Sequence, residues 1–446
     1  MMDASIAPSP SWSIRLHELN RIIRGLLLVY VFALPFKGLL FIERNGFIVL
    51  LLLLAVWCAV QRRLFFLRTP LDLPLIAFVG CVGITIPFAA YPFYSLQEYG
   101  KLLQQVVVFY AVVYFFRERT NWTLLIWLFL GELLVVGLYG MTQFDPSNLQ
   151  AVMSFLPSEV WLTTYLVMLI PLMFALAWYE ERPWAKGFFA SGAVVGTACL
   201  LLTQSRAGLL AFWVELWAFA WLLRCRAMTV AAATVTVMLG IALLFLVKVT
   251  TTTDGEISIM PRASVPIKTS LLSFVHRLDI WAFSLEQVAE HPLVGIGYGK
   301  ETSKMLFGQV PEDNLPPGHA PVRIHGAHNI FLELALLVGI PGMLLFVWLA
   351  ASILRVIVSG FRRATDMFLK ATLLGISISA IGVAVRIQFD QMLVGTLAIQ
   401  FWVMMAVAML ACQAIDAGAS TEQLAGGRLE NAPESFAPSV PRVHRR

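Results

Sequence analysis

Long apolar runs follow one another along this chain, separated by short polar turns. They lie near 22–42, 46–60, 71–90, 102–116, 122–141, 161–178, 187–203, 207–223, 228–249, 329–352, 369–386 and 391–412. A helix of about 20 apolar residues crosses a hydrocarbon core of about 30 Å. Inside such a core only helices and closed barrels satisfy their own backbone. The pattern therefore predicts an all-α integral membrane protein of about 12 transmembrane helices. One long polar stretch interrupts the series. It divides the chain into an N-terminal tail (1–21), helices one to nine (22–249), a loop domain (250–328), helices ten to twelve (329–412) and a C-terminal tail (413–446). From about residue 416 that tail is rich in Ala, Gly, Pro and Ser and reads as disordered.

Composition agrees with this class. Hydrophobic residues make up 59% and charged residues 13%, against about a quarter charged in soluble domains. The net charge of +5 is no nucleic-acid signal, because its meaning lies in where the cations sit. With the N-terminus placed in the cytoplasm, 20 of the 32 Lys and Arg fall on the cytoplasmic side. Outside the long loop, the opposite side holds only Lys37, Arg44, Lys101, Arg206 and Arg386. The positive-inside rule then predicts two cytoplasmic termini and a periplasmic loop. The first residues, MMDASIAPSPSWS, lack a signal-peptide pattern, so the first span is expected to be retained. The five cysteines have no metal-ligand spacing and are expected to be free thiols.

The loop gathers the chemistry. It holds five of the seven histidines: His276, His291, His319, His325 and His328. Residues 271–290 place Leu271, Phe274, Leu278, Trp281, Leu285 and Val288 on one helical face, which predicts an amphipathic helix on the membrane surface or across the bundle. HPLVGIGYGK (291–300) ends that helix; its glycines follow a helix rather than a strand and give no support for a dinucleotide fold. Residues 309–325 read as a proline-rich lid. His325 and His328 are spaced i, i+3, but a zinc site would need a third ligand from Glu312, Asp313 or His319, and no HExxH or cysteine signature accompanies them. No metal and no cofactor is expected. His328 suits two roles, proton acceptor near neutral pH and cap of the helix starting near 329. Arg206, in the turn TQSRAG (203–208), is shaped to hold a phosphate bidentately. For Lys101, Arg386 and Asp390, pairing or snorkelling to the interface stands beside substrate binding.

The order of motifs resembles the O-antigen ligase and polymerase family. That pattern is carried by Ser205-Arg206, Arg277 with Trp281, Pro292 with Gly295 and Gly297, His328-Asn329 with Leu332, and Gly339 with Gly342. An acidic residue, Glu333, lies one position from where the pattern places it. The resemblance implies a GT-C-like glycosyltransferase in the bacterial inner membrane with a periplasmic active site. Span count and the single late loop are most similar to the lipopolysaccharide O-antigen ligase. Its implied substrates are O-antigen on undecaprenyl pyrophosphate and the lipid A-core acceptor, with membrane lipids around them. The implied catalytic residues are His328, as base, and Arg206 and Arg277, on the pyrophosphate. His325, His319, Arg323, Lys101, Arg386 and Asp390 are the expected substrate-binding residues. Polymerase and protein O-oligosaccharyltransferase activities belong to the same resemblance. A transporter is the competing class, and the two halves lack the repeat it would favour.

Overall fold

The computed structural model describes residues 10–145, 150–251, 257–261, 268–308, 326–389 and 393–430. Among the described residues nine α-helices precede the loop: α1 (Pro10–Ala33), α2 (Leu40–Gln61), α3 (Asp72–Thr85), α4 (Pro92–Phe115), α5 (Arg119–Thr142), α6 (Glu159–Tyr179), α7 (Pro183–Leu202), α8 (Arg206–Leu223) and α9 (Arg226–Leu246). Strands β1 (Val247–Thr251) and β2 (Ile257–Pro261) pair antiparallel, Val247 opposite Pro261. Then come α10 (Lys268–Glu290) and α11 (Thr302–Phe307) in the loop, and α12 (Ile330–Arg363), α13 (Met367–Arg386) and α14 (Gly395–Glu430) after it. Among the described residues, eight helices are long and apolar enough to cross a membrane. The stretches Asp72–Phe88 and Arg226–Met238 are apolar but shorter. α4 is long, yet Glu98, Lys101 and the Gln104-Gln105 pair dilute its apolar character.

Burial differs widely among the spanning helices and does not follow their hydropathy. The spanning windows of α6 and α14 are 78% buried, whereas that of α2 is 17% buried and faces outward. A helix apolar on every side belongs in a core or in lipid. Small residues let the central helices approach closely, as is usual where lipid gives no hydrophobic drive for association. A Cβ at Gly375 of α13 would lie 2.6 Å from the Leu172 Cα of α6. One turn on, Ser379 Oγ donates to the Met168 carbonyl at 2.6 Å.

The two ends of the bundle differ. At the end away from the loop, ion pairs tie distant segments together: Arg119 to Asp366 through two bonds of 3.0 Å, and Arg363 to Asp416 at 2.6 Å. At the loop end, α10 packs against α12. Its Val288 joins the main core, while Ile280 and Phe283 form a small cluster with Trp281 and Phe307. α10 is the expected helix, but the face it buries is Ile280, Phe283, Ser284 and Val288; Leu278 and Leu285 of the face read from the sequence are exposed.

Three local expectations are corrected. The span read as 329–352 runs from Ile330 to Arg363 and is broken at Gly339, whose φ of 81° and ψ of 171° are not helical. The β1–β2 ribbon, at the start of the loop, was not foreseen. The tail read as disordered from about 416 is helical to Glu430, where the run QAIDAGASTEQLA offers alanines and other good helix formers.

Candidate active site at the loop end

The break in α12 explains two of the sequence motifs. In a continuous helix the Leu336 carbonyl would accept from Ile340 and the Leu337 carbonyl from residue 341. Residue 341 is proline and has no N–H to give. The glycine turn after α10 supplies what is missing: Ile296 N donates to Leu336 O at 2.9 Å and Gly297 N to Leu337 O at 3.0 Å. Ile340 N, freed by the break, donates to Pro292 O at 2.8 Å. The Leu336 and Leu337 carbonyls and the Ile340 N–H thus each find a partner in the turn, as buried backbone groups must.

The approach is close enough to require glycine on both sides. A Cβ at Gly295 (φ +66°) would lie 2.5 Å from Leu336 O, and one at Gly339 (φ +81°) would run into the Leu293 carbonyl. Both obstacles are backbone and have little room to move. Gly339→Ala is therefore expected to destabilise the folded protein by about 2 kcal/mol or more. Gly25→Ala, where a Cβ meets nothing within 4 Å, should leave it unchanged. Thermal denaturation of the two variants in detergent checks this; equal Tm values would show that the turn does not need the kink.

The His328 segment is clamped from three directions. Trp281 Nε1 of α10 donates to Ala327 O at 2.9 Å. The Glu333 carboxylate reaches back from the first turn of α12 to accept from Ala327 N in a short bond. Asn329 Oδ1 accepts from Phe331 N and Leu332 N, both at 3.1 Å, and so is the N-cap of α12. The cap is Asn329 and not His328, because the amide oxygen reaches the N2 and N3 donors as a cap requires. Asn329 Nδ2 also donates to Gln388 Oε1 at 3.1 Å, and Ile330 N to Ile387 O at 3.1 Å. Between these fixed neighbours His328 is half-buried, with φ of 47° in the left-handed region.

Arg277 lies one turn before Trp281 on α10. Its Nη2 donates to Phe389 O at 3.3 Å and its guanidinium sits 5.8 Å from the Phe389 ring centroid. Three segments therefore meet here: α10 with Arg277 and Trp281, the turn at 327–330 with His328, and 387–389 with Gln388. Arg386, buried at the last turn of α13, adjoins the third. An apolar cavity of about 140 Å³ opens beside the cluster, with Ile330, Leu334, Ile387 and Gln388 on one wall and Tyr298 and Gln105 on another. Burial, and then the nearby Glu98 charge, push the Tyr298 hydroxyl well above its ordinary pKa, so it is a neutral hydrogen-bonding group.

Other expected residues lie elsewhere. Arg206 is exposed and is the first residue of α8 rather than part of the preceding turn; Ser205 caps that helix, its Oγ accepting from Gly208 N at 3.3 Å. The positive end of the α8 dipole adds to the arginine charge. α8 packs along α13, where a Cβ at Gly382 would run into the Glu215 carboxylate; this brings the start of α8 to the end at which α13 finishes in Arg386. Lys101 is apart from the cluster and pairs with Glu98 at 2.5 Å. Asp390, His319, Arg323 and His325 lie outside the described residues, as do Glu312 and Asp313. The sequence reading missed Gln388 and Phe389. Their only signal was position, directly after Arg386 at a helix end.

Residues 191–347 match the family model for O-antigen ligase. Over this stretch, about a third of the chain, the protein is similar to O-antigen ligases. The match runs from α7 into α12 and covers Arg206, Arg277, the glycine turn, His328-Asn329 and the Gly339 kink. No curated protein matches the chain. O-antigen ligase family members are ligases and polymerases, so the match implies enzymatic glycosyl transfer on lipid-linked polysaccharide. The cluster has what such a transfer uses: a cation and a half-buried imidazole on neighbouring segments, and an apolar cavity lined by Ile330, Ile387 and Gln388 of those segments.

Proposed function

We propose that the protein transfers O-antigen from undecaprenyl pyrophosphate to a sugar hydroxyl of lipid A-core, on the periplasmic face of the inner membrane. The observation that carries this reading is the meeting of Arg277 and His328 through Trp281, Ala327 and Phe389. The leaving group is a lipid pyrophosphate, which departs readily once its charge is stabilised. Arg277 and Arg206 supply that charge; preorganised donors in a partly dry site are among the strongest catalytic devices. His328 takes the proton of the acceptor hydroxyl. The hydroxyl oxygen attacks the anomeric carbon from the face opposite the pyrophosphate, so the configuration inverts. The apolar cavity beside Ile330 and Leu334 offers space to a prenyl or acyl chain, and holding two large substrates in register supplies much of the rate. Arg386 lies one helical turn before Phe389 and belongs to the same binding region, with Asp390, His319, Arg323 and His325 assigned to the glycan by their place in the chain.

Supplying the purified protein with polyprenyl-pyrophosphate glycan and, separately, lipid A-core, donor alone or a protein acceptor tests the reading. Transfer to lipid A-core supports ligation. Chain extension with donor alone would make the protein a polymerase. Transfer is also expected to survive exhaustive chelation, since a good leaving group, cations and a base suffice. Loss with EDTA and recovery with a divalent ion, in detergent where the lipids themselves do not need the ion, would reverse that part.

A further inference from the structure

Five cations break the positive-inside pattern outside the long loop, and three of them, Lys37, Arg44 and Lys101, line one cavity. The cavity measures about 590 Å³ and lies at the loop end, away from the Arg277–His328 cluster. The glycine turn adds a fourth cation, Lys300. Carboxylates and an amide alternate with them: Glu43, Glu98, Gln104 and Glu301. Trp161 and Tyr94 supply aromatic faces.

The charge does not cancel locally. Lys101 is paired with Glu98 at 2.5 Å, Glu301 with Lys304 at 3.9 Å, and Glu43 accepts from Gln104 at 2.6 Å. Among the described residues, no ion pair engages Lys37, Arg44 or Lys300, and all three are exposed at the cavity. A cleft of this size falls within the range of small-ligand sites. Unpaired cations select an anion, while carboxylates, an amide and aromatic rings suit hydroxyl-rich rings. The chemistry that meets both demands is a phosphate-bearing saccharide.

We propose that this cavity is a second substrate site, which holds the phosphorylated sugars of the acceptor glycolipid; the assignment to the acceptor rests on the transfer reaction proposed above. Two substrates of one transfer need two sites, and the pyrophosphate is assigned to the arginines of the other. Gln105 borders both this cavity and the apolar one beside His328, and the turn carrying Tyr298 and Lys300 runs from one to the other. On the outer side, α2 exposes Phe41, Ile48 and Leu52. A glycolipid can keep its acyl chains in the bilayer along α2 while its head enters the cavity.

The test is binding to the full chain in neutral-lipid nanodiscs, with phosphorylated lipid A-core and its dephosphorylated counterpart as probes. The phosphorylated form should bind tighter by about tenfold or more, as charge-assisted contacts require. The variant with Lys37→Gln, Arg44→Gln and Lys300→Gln should lose that preference and keep its affinity for the polyprenyl-pyrophosphate donor. The variant with Lys37→Arg, Arg44→Lys and Lys300→Arg should keep both, which separates charge from folding. A neutral variant that retains the preference, or loses donor binding equally, overturns the proposal. So does displacement of the glycolipid by phosphatidylglycerol at equal concentration. Charge-dependent binding without any transfer to lipid A-core would support the cavity and overturn the ligase reading.

Discussion

Arg277→Ala and Arg206→Ala are each expected to abolish glycan transfer, by a factor on the order of 10² to 10³ for the loss of one preorganised charge donor, while the protein still inserts and accumulates. The two positions test the idea from different sides. Arg206 is exposed at the start of α8, and a surface substitution there should change stability by less than about 0.5 kcal/mol. Its loss of activity would therefore be chemical. Arg277 also bonds the Phe389 carbonyl and lies near its ring, so its removal loosens the seam between α10 and the segment after α13. Lysine separates these effects. Arg277→Lys keeps a cation but loses the planar fork, which offers five N–H donors and pairs with a phosphate through two of them. Lysine should rescue poorly at both sites. Lipopolysaccharide ladders from cells carrying each variant, read against membrane levels of the protein, measure the outcome. Near-normal ladders from either alanine variant would remove that arginine from the pyrophosphate.

Much of this architecture was legible in the sequence because the membrane leaves few alternatives. Apolar runs of spanning length have to be helices, and the helix read from residues 271–290 reappears as α10 with its end at Glu290 unchanged, though it buries Ile280 and Phe283 and exposes Leu278 and Leu285. What escaped was governed by contacts between distant segments. Gly339 and Gly342 were visible as a motif, yet the kink at Gly339 depends on donors from Ile296 and Gly297, over 40 residues earlier in the chain. Periodicity along one segment carries no record of such a partner. The cap of α12, one of the two roles offered for His328, belongs to its neighbour for a simpler reason: His328 and Asn329 are adjacent, and only the positions of the Phe331 and Leu332 N–H groups distinguish them. Glu333 looked misplaced by one position. Its carboxylate in fact holds Ala327, so its role is to fix the His328 turn. The sequence separated Lys101 from the histidines but treated it as one exception among five. Its grouping with Lys37 and Arg44 required the fold, because the three stand on the turn before α2, on α2 and on α4.

His328→Ala and His328→Asn are expected to lose transfer by about 10² or more, the range for removing a general base, while donor binding persists. The pair of variants matters because His328 sits at φ of 47°. A non-glycine residue there carries backbone strain, and asparagine is among the side chains that tolerate it best. His328→Asn should therefore preserve the turn between Ala327 and the Asn329 cap, so that its loss of activity reports on the imidazole and not on the backbone. His291→Ala is the control from the same loop: His291 is exposed in the glycine turn, where its backbone carbonyl accepts from Gly295 N, and its substitution should cost far less. Binding of the polyprenyl-pyrophosphate donor, measured in parallel, separates base from ligand. If His328→Asn transfers normally, or loses donor binding as fully as the arginine variants, His328 is not the base, and His325, in the same HGAHN stretch, becomes the residue to test.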